Sequence, residues 1–345
     1  MVRRTDTPRI EPADDASVHR AAERLRAGEL IGLPTETVYG LAADASNTDA
    51  VAKIFAAKGR PADHPLIVHV ASAEAAKAWA ASWPATADAL AAAFWPGPMT
   101  LIVQRAPHVL DMVTGGQDTV GLRVPSHPVA QAVLQAFAEQ RSTPAGLAAP
   151  SANQFGQVSP TTARHVAEEF PDQSLLVLDG GASEVGVEST IIDVSGAAPR
   201  VLRPGRVRAS DVERVLGRPL GQDTGDAPRV SGALASHYAP RTQTLMLATS
   251  RLRMQLRAFR NAKAAQPTRC VITHSFDPEP MERLRCIRLA ADAETWEYEL
   301  YALLRELDQE RYGTLIVEAP PETPEWEAVN DRLRRATHGS SPDDL

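Results

Sequence analysis

Cysteine is scarce in this chain: Cys270 and Cys286 are its two copies, and no CxxC pair exists. That spacing excludes a cysteine zinc site, and both thiols are expected to be buried in a reducing compartment. No run of about twenty apolar residues occurs, so no membrane-spanning helix is expected. The basic residues near the N-terminus are followed by no apolar stretch, which argues against a signal peptide, and a cytoplasmic protein is expected. Positive charge is also short. Asp and Glu number 43 against 36 Lys and Arg, a net charge of −7. Broad, charge-driven nucleic-acid binding wants a basic domain, so it is disfavoured, although a local basic cleft is not. There is no Gly-rich dinucleotide fingerprint, no internal repeat and no low-complexity tract.

What is present is 345 residues, 43% of them hydrophobic and 23% charged, enough for about two globular domains. The pattern predicts a first domain over 14–216, an interdomain linker over 217–241 and a second domain over 242–345. Residues 1–13 read as a disordered arm. Strands and helices alternate irregularly in the first domain, which predicts a mixed sheet. The linker is rich in Gly, Pro, Asp and Ser and has no sustained periodicity. Beyond it, strands predicted at 244–248, 269–273, 285–289 and 314–318 alternate with helices, as in a small parallel α/β domain.

The stretch Leu33 to Val70 concentrates polar groups between apolar strands. Pro34 breaks the first strand. Thr35, Glu36, Thr37 and Tyr39 follow, and Gly40 turns the chain. A helix from Asp49 leads to Lys58-Gly59-Arg60-Pro61, and a second strand ends beside His69. Two cations at a turn suit phosphate or carboxylate recognition. Lys58 alone would be explained by its place in the last helical turn, where cations complement the helix dipole. Arg123, inside Gly121-Leu122-Arg123-Val124-Pro125, would be an ordinary solvent-facing strand arginine or a fork gripping a carboxylate. Ser151 and Asn153 would be a plain turn, and His69 a satisfied strand histidine.

In order, PTETVYGL, KGRP, HPLIVH, FWPGPMTLI, GLRVPSHP, PSANQFGQVSPT, GVESTIID, VLRPG and SHYAPR closely resemble the threonylcarbamoyl-AMP synthase family. The match runs from about Pro34 to Arg241. The resemblance implies a YrdC-like twisted mixed sheet with flanking helices, joined to a smaller, Rossmann-like parallel α/β domain. It implies a nucleotidyltransferase that makes L-threonylcarbamoyladenylate from L-threonine, bicarbonate and ATP, releasing pyrophosphate. The product would serve the downstream tRNA threonylcarbamoyl-transfer machinery, with no requirement that tRNA bind here.

By the same resemblance, Thr37, His69, Arg123, Ser189 and the backbone at Ala149 would hold L-threonine, with Arg123 on its carboxylate. Lys58, Arg60, His64, Thr119, Ser151, Asn153, Ser159, Arg203, His237 and Tyr238 would hold ATP, Lys58 and Arg60 serving catalysis. Mg2+ would arrive with the nucleotide. His64 stands where many relatives carry Asn, and VSGALASHYAP lacks the Pro-Gly-Met expected in many linkers. The chemistry needs positioning and cations where phosphate charge develops, not a protein nucleophile, and the chain offers no Ser-His-Asp order. The competing readings are a double-stranded RNA or tRNA-binding module, and a carbamoyltransferase using the same domain.

Overall fold

This computed structural model describes residues 8–139, 141–221, 225, 227–232, 234–261, 268–310 and 312–340. The chain divides into two compact units, one of residues up to 155 with 159–233, the other of 156–158 with 234–345.

The first unit holds β1 (Arg9–Pro12), β2 (Ile31–Leu33), β3 (Gly40–Asp44), β4 (Ile67–His69), β5 (Met99–Gln104), β6 (Thr119–Arg123), β7 (Leu147–Ala148), β8 (Leu176–Asp179), β9 (Thr190–Asp193) and β10 (Arg200–Arg203). They form one sheet in the order β1-β8-β2-β3-β7-β4-β6-β5-β9-β10. Pairing is mixed: β4–β6 and β5–β9 are parallel, β4–β7 and β5–β6 antiparallel. Its helices are α1 (Asp15–Arg26), α2 (Thr48–Lys58), α3 (Ala73–Lys77), α4 (Ala85–Phe94), α5 (Asp111–Thr114), α6 (Pro128–Ala138), α7 (Ala163–Glu169) and α8 (Ala209–Leu216).

Side-chain alternation along a strand sends neighbours to opposite faces, and β3 shows it. Leu41 and Ala43 join a core with Val51, Ile54, Trp79 and Leu122. Ala42 joins a second core with Val18, Leu25, Val133 and Phe137. The sheet is therefore covered on both sides, and the candidate polar residues lie at strand ends, in loops and, for Lys58, in the last turn of α2. α2 illustrates the local logic: Asn47 caps its start, and Gly59 ends it at φ 61°, a left-handed conformation that glycine adopts without Cβ strain.

Two expectations fail here. Residues 9–12 of the supposed disordered arm form β1, which pairs in parallel with β8 from Arg9↔Leu176 to Pro12↔Asp179. Its Glu11 is buried and ion-paired with Arg9 and Arg20. Residues 1–7 lie outside the described residues. Gly40 does not simply turn the chain into a helix, because β3 intervenes. An alanine-rich strand buried on both faces has no alternation to reveal it.

The second unit carries β11 (Thr244–Leu247), β12 (Arg269–Thr273), β13 (Leu284–Arg288) and β14 (Thr314–Glu318), all parallel, in the order β11-β14-β12-β13. α9 (Thr249–Asn261), α10 (Ala293–Gln309) and α11 (Glu327–Ala336) accompany them. This is the expected parallel α/β architecture. At the end of β14, the fully buried Glu318 accepts hydrogen bonds from Thr249 Oγ1 (2.7 Å), His274 N (2.8 Å), Ser275 N (3.0 Å) and the Ser275 hydroxyl. Burial pushes its pKa up, but these donors outweigh burial and hold it below the usual carboxylate range. Of the two free cysteines, Cys270 is buried as expected, whereas Cys286 is half-buried. Cys286 sits in the edge strand β13, covered by a neighbour on one side. Burial pushes the Cys270 thiol up to about 12.

Candidate active site

The site is built on the ends of β4, β6 and β9 and on the loop between β2 and β3. That loop is held by its own backbone. Glu36 O accepts from Val185 N (2.7 Å), Thr37 O from Gly186 N (3.1 Å), and the Tyr39 hydroxyl donates to Gly181 O (2.7 Å). The Thr35 and Thr37 hydroxyls lie 3.0 Å apart. Gly180 has no room for a side chain, since a Cβ there would meet the His127 ring at 2.5 Å and Pro34 at 2.9 Å. Close packing of the His127 ring and Pro34 against the Gly180 backbone thus sets the loop beside the sheet.

His69 and Arg123 are register partners on the parallel pair β4–β6, so both side chains leave the same face. Both are buried, which rules out the solvent-facing reading of Arg123. Arg123 Nε donates to Gly97 O (3.4 Å), and its Nη2 lies 2.7 Å from Glu36 Oε1. That contact is close but not aligned as a hydrogen bond. Arg123 Nη2, both oxygens of Glu36 and His69 Nδ1 have no hydrogen-bond partner. Burial, then the Arg123 charge, pull the His69 pKa down to about 3, which keeps the ring neutral. The Ala149 N–H donates to Ile67 O (3.2 Å), closing β7 onto β4.

A cationic region adjoins. Arg203 donates from Nε to Ser189 O (3.0 Å) and from Nη2 to Ser189 Oγ (3.1 Å). Ser189 Oγ is also 2.8 Å from Thr100 Oγ1. The motif reading assigned Ser189 and Arg203 to different ligands; the structure bonds them to each other, so the two side chains form one wall. Arg60 Nη2 donates to Pro65 O (2.9 Å) and, at 3.4 Å, to Ser231 Oγ, while Arg203 Nη1 donates to Ser231 O (2.8 Å). Arg229, Val230 and Ser231 also line a recess with Pro65, Gln117 and Thr119.

Lys58 is 2% exposed, and its ammonium donates to Ser151 O (2.6 Å) and to Asn153 O. Burial, then the charge of Arg60, hold its pKa well below the usual lysine value. Lys58 therefore shapes the Ser151–Asn153 loop from inside. Asn153 Nδ2 donates to Gln154 O (2.7 Å). Ser159 Oγ donates to Glu188 Oε1 (2.6 Å). His64 packs edge-on against Phe155 at 5.3 Å, and burial, then Arg60, lower its pKa. His237 and Tyr238 belong to the second unit. There Tyr238, with φ 60°, packs between the His237 ring and Tyr301 and lies under Arg332.

Sequence reasoning gave no role to Glu36, Glu188, Thr100 or Ser231. Glu36 was the one carboxylate among the hydroxyls of its motif, a signal in plain view. Glu188 directly precedes Ser189. Ser231 lies in the linker, whose irregular sequence gives no placement.

A family model described as "Telomere recombination" (Sua5, YciO, YrdC) matches residues 23–205, and one described as "Threonylcarbamoyl-AMP synthase, C-terminal domain" matches 207–338. The threonylcarbamoyl-AMP synthase of Pyrococcus abyssi is 35% identical, over 95% of this chain and 96% of its own. That of Bacillus subtilis is 36% identical over 94% of each. The crystal structure of P. abyssi Sua5 complexed with L-threonine superposes with a TM-score of 0.83 at 34% identity, covering 96% of this chain and 97% of that one. Matched along nearly its whole length, this chain belongs to the threonylcarbamoyl-AMP synthase family.

Proposed function

We infer that the first unit makes L-threonylcarbamoyladenylate from L-threonine, bicarbonate and ATP, releasing pyrophosphate, for N6-threonylcarbamoyladenosine in tRNA. The observation that carries this reading is the near-full-length likeness to the L-threonine-bound P. abyssi structure. The geometry supports it. A buried guanidinium with Nη2 lacking a hydrogen-bond partner, at the end of β6, suits an α-carboxylate. Neutral His69, Thr37, Ser189 and the Ala149 backbone would complete that pocket. Arg60 and Arg203 would meet the phosphates, with Thr119, His64, Ser159 and the Ser151–Asn153 loop around the nucleotide. Lys58 would act chiefly by holding that loop.

Threonine's nitrogen must bond to the carbon of bicarbonate, and the carbamate oxygen then attacks the α-phosphorus as the bond to pyrophosphate breaks. The residues provide positioning and positive charge where phosphate charge develops. Among the described residues no group of three or more His, Cys, Asp or Glu is placed to hold a metal. Magnesium would come with ATP, held mainly by phosphate and water, and would neutralise phosphate charge. Among the described residues no helix is long and apolar enough to cross a membrane. We place the enzyme in the cytoplasm, passing its product to the tRNA threonylcarbamoyl-transfer machinery.

The test is pyrophosphate release from ATP and bicarbonate with L-threonine, with L-valine or with no amino acid. Release stimulated by L-threonine alone is the expected result; equal release in all three overturns the reading.

A further inference from the structure

Glu36 is 2% exposed, faces Arg123 and leaves both carboxylate oxygens without a hydrogen-bond partner. A buried ion pair that serves structure alone needs its remaining lone pairs satisfied, because stripping water from a carboxylate is costly. Glu318 meets that requirement with four donors. Glu36 does not, although the backbone around it is fixed on both sides. Its site is therefore one donor set short. An α-amino acid carries a carboxylate and an ammonium on neighbouring atoms. An arginine beside an acceptor-only carboxylate is the complement of that pair. With Arg123 on the carboxylate, the ammonium falls to Glu36, which supplies the acceptors that neutral His69, Thr35 and Thr37 cannot match in charge.

Resting on the reading of the cleft above, we propose that Glu36 binds the α-ammonium of L-threonine and takes one proton from it as the carbamate forms. The step balances. Of the ammonium's three protons, one stays on nitrogen and one leaves in the water made from bicarbonate's departing hydroxyl. The third goes to Glu36. The nitrogen lone pair forms the N–C bond as the C–OH bond breaks. The carbamate anion left behind is the nucleophile toward ATP, and Glu36 returns its proton to solvent after the product leaves.

The experiment compares wild type, Glu36→Gln and Glu36→Asp by calorimetric titration with L-threonine and with 2,3-dihydroxybutanoate, which has a hydroxyl in place of the ammonium. Wild type should prefer L-threonine by at least about tenfold, the worth of one charge-assisted hydrogen bond. Glu36→Gln should bring that ratio near one, and Glu36→Asp should restore part of it. Pyrophosphate release at saturating L-threonine should fall about 100-fold or more in Glu36→Gln, the usual range for loss of a general base. A wild-type preference ratio in Glu36→Gln overturns the proposal. If Glu36→Gln does not fold, Glu36→Asp decides: release at least about tenfold down with unchanged ATP affinity supports the role, and wild-type release overturns it. Wild type lacking L-threonine-dependent release would instead sink the reading of the cleft, while the two titrations still judge Glu36 as an ammonium receptor.

Discussion

Glu36 and Glu318 are both buried carboxylates at the mouths of β-sheets, yet their surroundings are opposite. Glu318 ends a strand of a parallel sheet, the edge where such folds commonly bind ligands. There its own carboxylate takes four donors from the first residue of α9 and the loop after β12. Glu36 sits in a clamped loop with a charged neighbour and no aligned donor. The first has finished its chemistry inside the fold, and the second has left it for something that arrives. Burial of a charged group by itself therefore identifies nothing; how completely its hydrogen bonds are met separates a structural carboxylate from a binding one.

The comparison breaks most visibly if Glu318 matters to ligand. Glu318→Ala strands several buried donors, each worth ~1–3 kcal/mol, so a loss of roughly 3–5 kcal/mol is expected in urea denaturation of the second unit. L-threonine affinity should stay within about twofold of wild type, which is below ~0.5 kcal/mol. A large loss of affinity would erase the distinction. Next in size is Arg123→Lys, which keeps the charge but removes the fork. L-threonine binding should weaken by about 10–100-fold, with ATP binding unaltered, as measured by calorimetry. If ATP binding falls instead, the arginine serves the nucleotide and Glu36 loses its companion.

A smaller effect concerns His69. Its pKa is about 3 in the fold and 6.5 ordinarily, so between those values the unfolded chain holds a proton that the native state refuses. Stability should fall as pH drops through that window, by ~1 kcal/mol per pH unit. His69→Asn should flatten the slope between denaturation at pH 6.5 and at pH 4. An unchanged slope would mean the ring is not held neutral beside Arg123. The smallest effect expected is from Ser231→Ala. It removes a long hydrogen bond to Arg60, but the backbone carbonyl still accepts from Arg203. ATP affinity should shift by less than about threefold, within the net worth of one ordinary hydrogen bond. A tenfold shift would make the Ser231 hydroxyl part of the nucleotide site.

Much of this was legible in residue order. The helix ended by Gly59 carried its own stop signal, and the parallel second unit followed from its alternating strands. The motifs named the right family. What escaped is what depends on the partner across space. β1 has no pattern of its own and exists because β8 accepts it. β3 is alanine-rich, and alanine favours helix until both faces are covered. Ser189 and Arg203 are fourteen positions apart and bond directly, so assigning them to separate ligands by motif could not anticipate their shared wall. Glu36 was named without a role because a carboxylate between threonines reads as solvent-facing until the loop is seen to be buried.

The pairing of β1 with β8 has a consequence in time. On a ribosome, Arg9 emerges early and must wait for Leu176 before its ladder can form. At ordinary elongation rates of ~5–20 residues per second, that interval is on the order of ten seconds or more. During synthesis the first strand is an open edge with no template beside it. Its sequence, Arg-Ile-Glu-Pro, carries a charge at either side of its one large apolar residue and a proline at its end. Such residues discourage a strand from recruiting the wrong neighbour. The composition that hid this strand from pattern reading thus also protects the nascent chain until its proper neighbour is made.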